Sequence, residues 1–314
     1  MITSLLNRFK KREVTGMDLG SSGVKFVRIH RKPEEGAGQI TQWLYPAPVQ
    51  EEKEISAFRD FLRVNGLTGS MVACNIDEGN LSIRKLDLPK MPEADLREAV
   101  RWQIRDGLEG PVTDYSVRYT LLEEPSPEAK KVSLLAYAVK KSVVSRLMEF
   151  LKKLSLNPVL VEPTPVSLMA AFDAVHGWKA GETYGLIDFG ESKTVFSAMG
   201  EGRLYFFRPL GGVSGRQLKE YLEKEPLESV LPGFHTRIAV ETQKIVDAFS
   251  LAFRTEKIHR LFLCGGGAAL PGLEEYLTKN VAIPTTLLDP SVQFEMAPGP
   301  SHLYDAALGL ALYS

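Results

Sequence analysis

This chain of 314 residues has little cysteine and no surplus of either charge. Cys74 and Cys264 stand far apart in sequence, so neither a disulfide framework nor a cysteine-based zinc site can be built from them. A reducing, cytoplasmic setting fits that usage. With 38 basic and 39 acidic residues the formal net charge is −1, which leaves no global basic field for nucleic acid. No apolar run is long enough to span a bilayer, and there is no secretory h-region. None of the five histidines stands at metal-ligand spacing from another ligand type. The GxxxxGK[ST] of P-loop proteins and the GxGxxG of Rossmann folds are both missing, and no nucleophile elbow supports a Ser/His/Asp hydrolase. What remains is a composition of 44% hydrophobic and 25% charged residues, enough to bury a core in two domains or one bilobal unit.

Against those absences stands a duplication. Residues 16–27 read GMDLGSSGVKFV and residues 186–197 read LIDFGESKTVFS. Asp18 matches Asp188, Gly20 matches Gly190, and Ser22 matches Ser192. Each copy reads as strand, glycine turn, strand. Backbone N–H groups in such a turn form a concave nest for an anion, and an Asp at the strand end can hold a hydrated cation. A third glycine site, LCGGGAALPGL, follows a short apolar strand at 259–264 and precedes a helix. Two readings are open for the paired hairpins: structural turns of a duplicated fold, or the two jaws of a nucleotide clamp. The third glycine loop favours the clamp.

Periodicity orders the rest. Strands are expected at Val14–Asp18, Val24–Ile29, Ile40–Tyr45 and Met71–Ile76, with a turn at 31–39 and a helix over Glu54–Asn65. The N-terminus, with Leu5, Leu6 and Phe9 before Lys10, Lys11 and Arg12, reads as a lead into the first strand ahead of a basic foot on an anionic membrane. Residues 81–154 read as strand, helix, strand, strand, helix, a compact α+β unit. Its first helix follows Pro92 and sets Leu96, Val100, Ile104 and Leu108 on one stripe, off which Trp102 lies. PSPEAKK forms a polar turn between the later strands. Residues 158–176 read as prolines followed by a helix, with Glu162 as a helix-start residue before Pro163. The lobe boundary falls at GWKAGET. Pro226, Pro232 and Gly233 are expected to interrupt the chain before a long amphipathic helix from Ile238 to Phe253. DAALGLALYS reads as a small-residue helix packed closely against a neighbour.

The order of hairpins, the LCGGG strand and loop, and the inserted α+β unit resemble the actin/Hsp70/FtsA fold. Within it the chain resembles the PilM family of actin-like type IV pilus assembly proteins, nearly end to end. LDLPKMPEADLREAVRWQI is the most specific match, and VEPTPVSLMAA, RPLGG, LCGGGAALPGLEEYL and DAALGLAL follow the family's order. The resemblance implies a two-lobed α/β, ribonuclease H-like architecture with the inserted subdomain at about 81–154. The first lobe would cover 1–180 and the second 181–314, with a small subdomain at about 212–257.

It implies ATP and Mg²⁺ as ligands, with at most weak ATPase activity. Gly20, Ser21, Ser22 and Lys25 would contact the β/γ-phosphates, and Gly190, Ser192 and Thr194 would oppose them. Asp18 and Asp188 would hold Mg²⁺ through waters, and Gly265, Gly266 and Gly267 would pass beside the nucleoside. Glu162 falls where the superfamily often orients the attacking water. The family carries an A-E-x-x-K pattern on a ribose-side helix, whereas LEKEPLESVLPGFHTR at 222–237 reads as proline-broken, with no such Glu/Lys pair on a helix. Lys193 stands where the family tends to have a small or hydroxyl residue. Implied partners are the cytoplasmic N-terminal peptide of PilN, pilus motor ATPases and further copies of the chain, with the membrane reached only through partners at the inner face. Two other readings stand beside this one. A GspL-like secretion-platform scaffold without nucleotide would be expected to continue into a membrane helix. A small-molecule kinase of the superfamily would need an acid/base Asp in a substrate pocket.

Overall fold

The computed structural model describes residues 13–30, 38–49, 52–76, 79, 81–122, 128–253 and 257–313. The expectations for residues 1–12, for residues 31–37 of the turn at 31–39 and for the first three residues of PSPEAKK lie outside the described residues.

The first lobe is built on β1 (Val14–Gly20), β2 (Gly23–His30), β3 (Gly38–Tyr45), α1 (Glu52–Val64) and β4 (Met71–Ile76). β1 to β3 form an antiparallel meander, and β4 joins β1 in parallel. Under this sheet Met17, Phe26, Phe58, Leu62, Val72 and Cys74 pack as one apolar cluster. An inserted three-stranded sheet follows: β5 (Leu81–Pro89), α2 (Glu93–Ile104), β6 (Tyr115–Leu121) and β7 (Lys131–Lys140), with β7 central. Leu96, Val100 and Ile104 of α2 are buried against it, as the stripe requires, and Trp102 is 63% exposed. Pro92 caps α2 from just outside, where its missing N–H costs nothing. The next helix, α3 (Lys141–Lys153), turns its Leu151 into the first-lobe cluster instead.

Residues 157–163 form β8 (Asn157–Pro163), a strand absent from the periodic reading. β8 lies at the edge of the first sheet, paired in parallel with β4. Proline cannot donate to a ladder, so Pro158 and Pro163 are tolerable in an edge strand and misleading in a sequence. Glu162 therefore sits on a strand, opposite Asn75, and does not start a helix. α4 (Thr164–Val175) begins after Pro163 and crosses to the second lobe.

The second lobe repeats the first: β9 (Thr183–Phe189), β10 (Thr194–Gly200) and β11 (Arg203–Leu210) make an antiparallel meander. α5 (Gly215–Leu222) starts on a Ser214 cap. α6 then runs unbroken over Leu227–Ala252, 26 residues, with Pro226 at its cap and Pro232 inside. This corrects the expected interruption. The burial stripe Val230, Phe234, Ile238, Ile245 and Phe249 continues through the proline, and Pro232 forfeits only one backbone hydrogen bond. β12 (Ile258–Cys264) pairs in parallel with β9, α7 (Leu273–Asn280) follows, and β13 (Thr285–Leu287) closes the sheet.

The tail returns to the first lobe. β14 (Phe294–Glu295) pairs with β3, and α8 (Asp305–Ala311) packs with Val27, Ile40 and Ala171. A Cβ on Gly16 would overlap the Ala307 carbonyl, and one on Gly309 would overlap that of Ser167. These small residues let α8 lie against both β1 and α4, as its composition predicts. The fold is thus the two-lobed α/β architecture with an inserted α+β unit that the motif order implies.

Candidate functional site

The two duplicated hairpins face one cleft of about 550 Å³, a size that suits a nucleotide. The first hairpin turns tightly: Gly20 pairs with Gly23, so Ser21 and Ser22 are its tip, and Asp18 faces Lys25 across the strands. The second is looser: Phe189 pairs with Thr194, which leaves Gly190–Lys193 as a four-residue loop and puts Val195 opposite Asp188. The copies therefore differ in register. The lysine of the first jaw projects from its second strand, and that of the second jaw sits in the loop.

Asp18 is 8% exposed, and its charge is well satisfied. Lys25 Nζ donates to Asp18 Oδ2 at 3.1 Å, and Asn75 Nδ2 donates to Asp18 Oδ1 at 2.6 Å. Asn75 Oδ1 in turn accepts the Leu19 N–H at 2.7 Å, and its amide also reaches Thr164 Oγ1 at 3.3 Å. Burial lowers the Lys25 pKa, but the adjoining Asp18 carboxylate, helped by Asp188, outweighs it and leaves the ammonium held above its ordinary value. Lys25 is consequently a fixed positive charge on the cleft wall at any physiological pH.

The second jaw is braced from behind by α5. Gly215 and Arg216 donate backbone N–H groups to the Gly190 and Glu191 carbonyls at 2.9 and 2.8 Å. Glu191 is paired with Lys219 at 2.9 Å. The third loop is tied to the same jaw through Gly267 N–H to the Phe189 carbonyl at 3.1 Å. Gly265 has φ +81° and sits where a Cβ would overlap the Asp188 carboxylate, so only glycine lets this loop pass the acid.

Asp18, Gly20, Ser21, Ser22, Lys25, Asp188, Gly190, Ser192, Gly265, Gly266 and Gly267 all line the cleft. Two sequence candidates do not. Thr194 is completely buried behind the loop, its hydroxyl without a hydrogen-bond partner, and Val195 lines the wall instead. Glu162 lies on β8 outside the cleft lining, where burial pushes its carboxyl up to about 7. The expected lack of a Glu/Lys pair on a helix is corrected: α6 carries Glu241 and Lys244 one turn apart, joined at 2.6 Å. Neither lines the cleft, whose corresponding wall is Leu218, Lys219 and Leu222 of α5.

Sequence reasoning missed Asn75, Thr164, His302 and Asp305, which also line the cleft. The usable signals were slight: a lone amide near the end of the apolar strand MVACNI, and a lone acid opening DAALGLAL. His302 is held below its ordinary pKa by burial, partly offset by Asp289.

Residues 216–314 match the family model described as type IV pilus assembly protein PilM. The chain is also similar to a solved PilM-PilN type IV pilus biogenesis complex, with a TM-score of 0.78 at 18% identity, over 95% of this chain and 97% of that one. The chain shares the fold of that structure, and its last third matches the PilM family model. The chain is similar as well to the cytoplasmic domain of EpsL, an inner membrane component of the type II secretion system of Vibrio cholerae. That likeness has a TM-score of 0.52 at 9% identity, over 96% of this chain and 95% of that one. No curated protein matches it by sequence. Among the described residues no helix is long and apolar enough to cross a membrane.

The cleft residues fit a nucleotide with its metal. Two glycine turns and Lys25 would offer N–H groups and a cation to phosphate, Asp18 and Asp188 would offer carboxylates, and the third loop would supply a close backbone wall. Buried Asp305, with both oxygens unpartnered, offers a further carboxyl to a cation.

Proposed function

We propose that this chain is a scaffold of a type IV pilus assembly platform. It would hold the short cytoplasmic N-terminal peptide of a PilN-like inner-membrane protein, and so sit peripherally at that membrane. ATP with Mg²⁺ would be the ligand that sets the arrangement of its lobes. The observation that carries this reading is the likeness along nearly the whole chain to a PilM-PilN complex, joined to a cleft lined by both glycine turns.

In this reading Gly20, Ser21, Ser22 and Lys25 bind the outer phosphates from one lobe. Gly190 and Ser192 bind them from the other, and Gly265, Gly266 and Gly267 flank the nucleoside. Asp18 and Asp188 hold the metal through waters, and the metal neutralises phosphate charge. Because the two jaws belong to different lobes, a ligand touching both favours the closed arrangement by its differential affinity. Glu162, outside the cleft, is not given a catalytic role here. Contact with motor ATPases and self-association belong to the same proposal.

A labelled synthetic PilN N-terminal peptide, titrated by anisotropy with and without ATP-Mg²⁺, tests the coupling. Asp188→Ala is expected to weaken both ATP and peptide binding. Peptide affinity indifferent to ATP and to the substitution would remove ATP from the mechanism. It would leave a nucleotide-independent secretion-platform scaffold as the reading.

A further inference from the structure

Asp305 opens α8 on the cleft wall. It is 1% exposed, and neither carboxylate oxygen has a hydrogen-bond partner. Burial, and then the neighbouring carboxylates Asp188 and Asp289, hold its carboxyl well above the ordinary range. Asp289 is otherwise occupied: its Oδ1 accepts from the Ser291 N–H at 2.9 Å, the Ser291 hydroxyl at 2.7 Å and the Ser301 hydroxyl at 2.5 Å. Two of the cleft's lysines are paired with other carboxylates. Lys25 is held by Asp18 at 3.1 Å and Lys219 by Glu191 at 2.9 Å.

A buried carboxylate with no donor is among the costliest groups a fold can carry. Such a group calls for an explanation, and a bound ion is one. Asp188 lines the same cleft and lies against the third glycine loop. Two carboxylates at a phosphate cleft suit Mg²⁺ or Mn²⁺, which keep several waters and take one or two protein carboxylates plus phosphate oxygens. Among the described residues no three His, Cys, Asp or Glu side chains form a ready-made metal cage, which agrees with an open site of this kind.

We propose that Asp305 and Asp188 together bind a divalent cation in the cleft, on the protein itself and before any nucleotide arrives. The family resemblance gives Asp305 no role. The proposal deepens the nucleotide reading and rests on it only for the phosphates that would complete the coordination.

The test is a Mn²⁺ titration of nucleotide-free protein, followed by electron paramagnetic resonance, with a separate ATP-Mg²⁺ titration by calorimetry. The wild-type protein is expected to bind one Mn²⁺, and Asp305→Asn to weaken it by about tenfold or more. Asp305→Asn should fold at least as well without metal, since it replaces a buried carboxyl that has no hydrogen-bond partner, and circular dichroism checks this. Should it not fold, Asp188→Asn carries the same expectation. Absence of Mn²⁺ binding to the nucleotide-free wild type overturns the proposal. So does equal affinity in Asp305→Asn, which would make Asp305 a neutral, protonated acid. Mn²⁺ binding kept while ATP fails to bind would count against the nucleotide reading alone. ATP-Mg²⁺ binding kept without Mn²⁺ binding would count against this inference alone.

Discussion

Glu162 shows how a single residue can look catalytic in sequence and be something else in space. It lies on an edge strand beside Tyr137 and Tyr313, and burial pushes its pKa from 4.5 to about 7. A carboxyl that holds its proton more tightly when folded contributes stability that is fully present below pH 4.5. That contribution is lost as pH rises to about 7. At 1.36 kcal/mol per unit the loss is roughly 3 kcal/mol. Glu162→Gln should abolish this fall, so its urea midpoint should exceed that of the wild type at pH 7.5 and converge with it at pH 4.5. An identical pH dependence in the two proteins would contradict the burial account. Asn75 is the opposite case. It carries no motif, yet it fixes Asp18 and the Leu19 N–H at once, a role visible only when β1 and β4 lie side by side.

At the scale of elements, α6 and α8 are the instructive pair. Pro232 misled the reading of α6 because a proline is usually a stop. The apolar stripe was the better guide, since burial of Phe234, Ile238 and Phe249 outweighs one absent backbone hydrogen bond. Pro232→Ala should restore the hydrogen bond to the Glu228 carbonyl and stabilise the protein by about 1 kcal/mol in urea unfolding. A loss of stability would mean that the proline is needed to shape the helix. α8 was legible because DAALGLAL contains only small and aliphatic residues after its acid. Gly309 shows what that composition is for, as any side chain there would meet the Ser167 carbonyl. Gly309→Ala should cost about 3 kcal/mol, the upper end for overpacking, because neither α4 nor α8 has room to retreat. An unchanged melting temperature would show that the helices can separate at little cost.

For the whole molecule, the cleft exists because the tail crosses back. β14 and α8 belong by sequence to the second half but pack on the first, so the lobes are tied by chain as well as by α4. Lys85 adds a link from the inserted sheet: its Nζ reaches the Ala252 carbonyl at 3.3 Å and lies 4.3 Å over the Phe253 ring. A ligand gripped by both jaws should stabilise the assembly as a unit. ATP-Mg²⁺ at a hundred times its dissociation constant should add about 2.7 kcal/mol to unfolding free energy. Chemical denaturation with and without nucleotide measures this, and no shift would argue that the cleft does not close on ATP.

The sequence by itself determined the duplication, the strand, turn and strand form of each jaw, the third glycine loop and the inserted unit. All of these rest on local patterns of glycine, alternation and helical spacing. It could not show that the copies differ in register, because the length of a turn is decided by which residues pair across it. Nor could it show that prolines 158 and 163 sit in a strand, because an edge position is a property of the sheet. The membership of the cleft was likewise a tertiary matter. Thr194 turned inward because its strand alternates, and Asp305 joined the cleft because close packing of small residues carries α8 across to the first lobe.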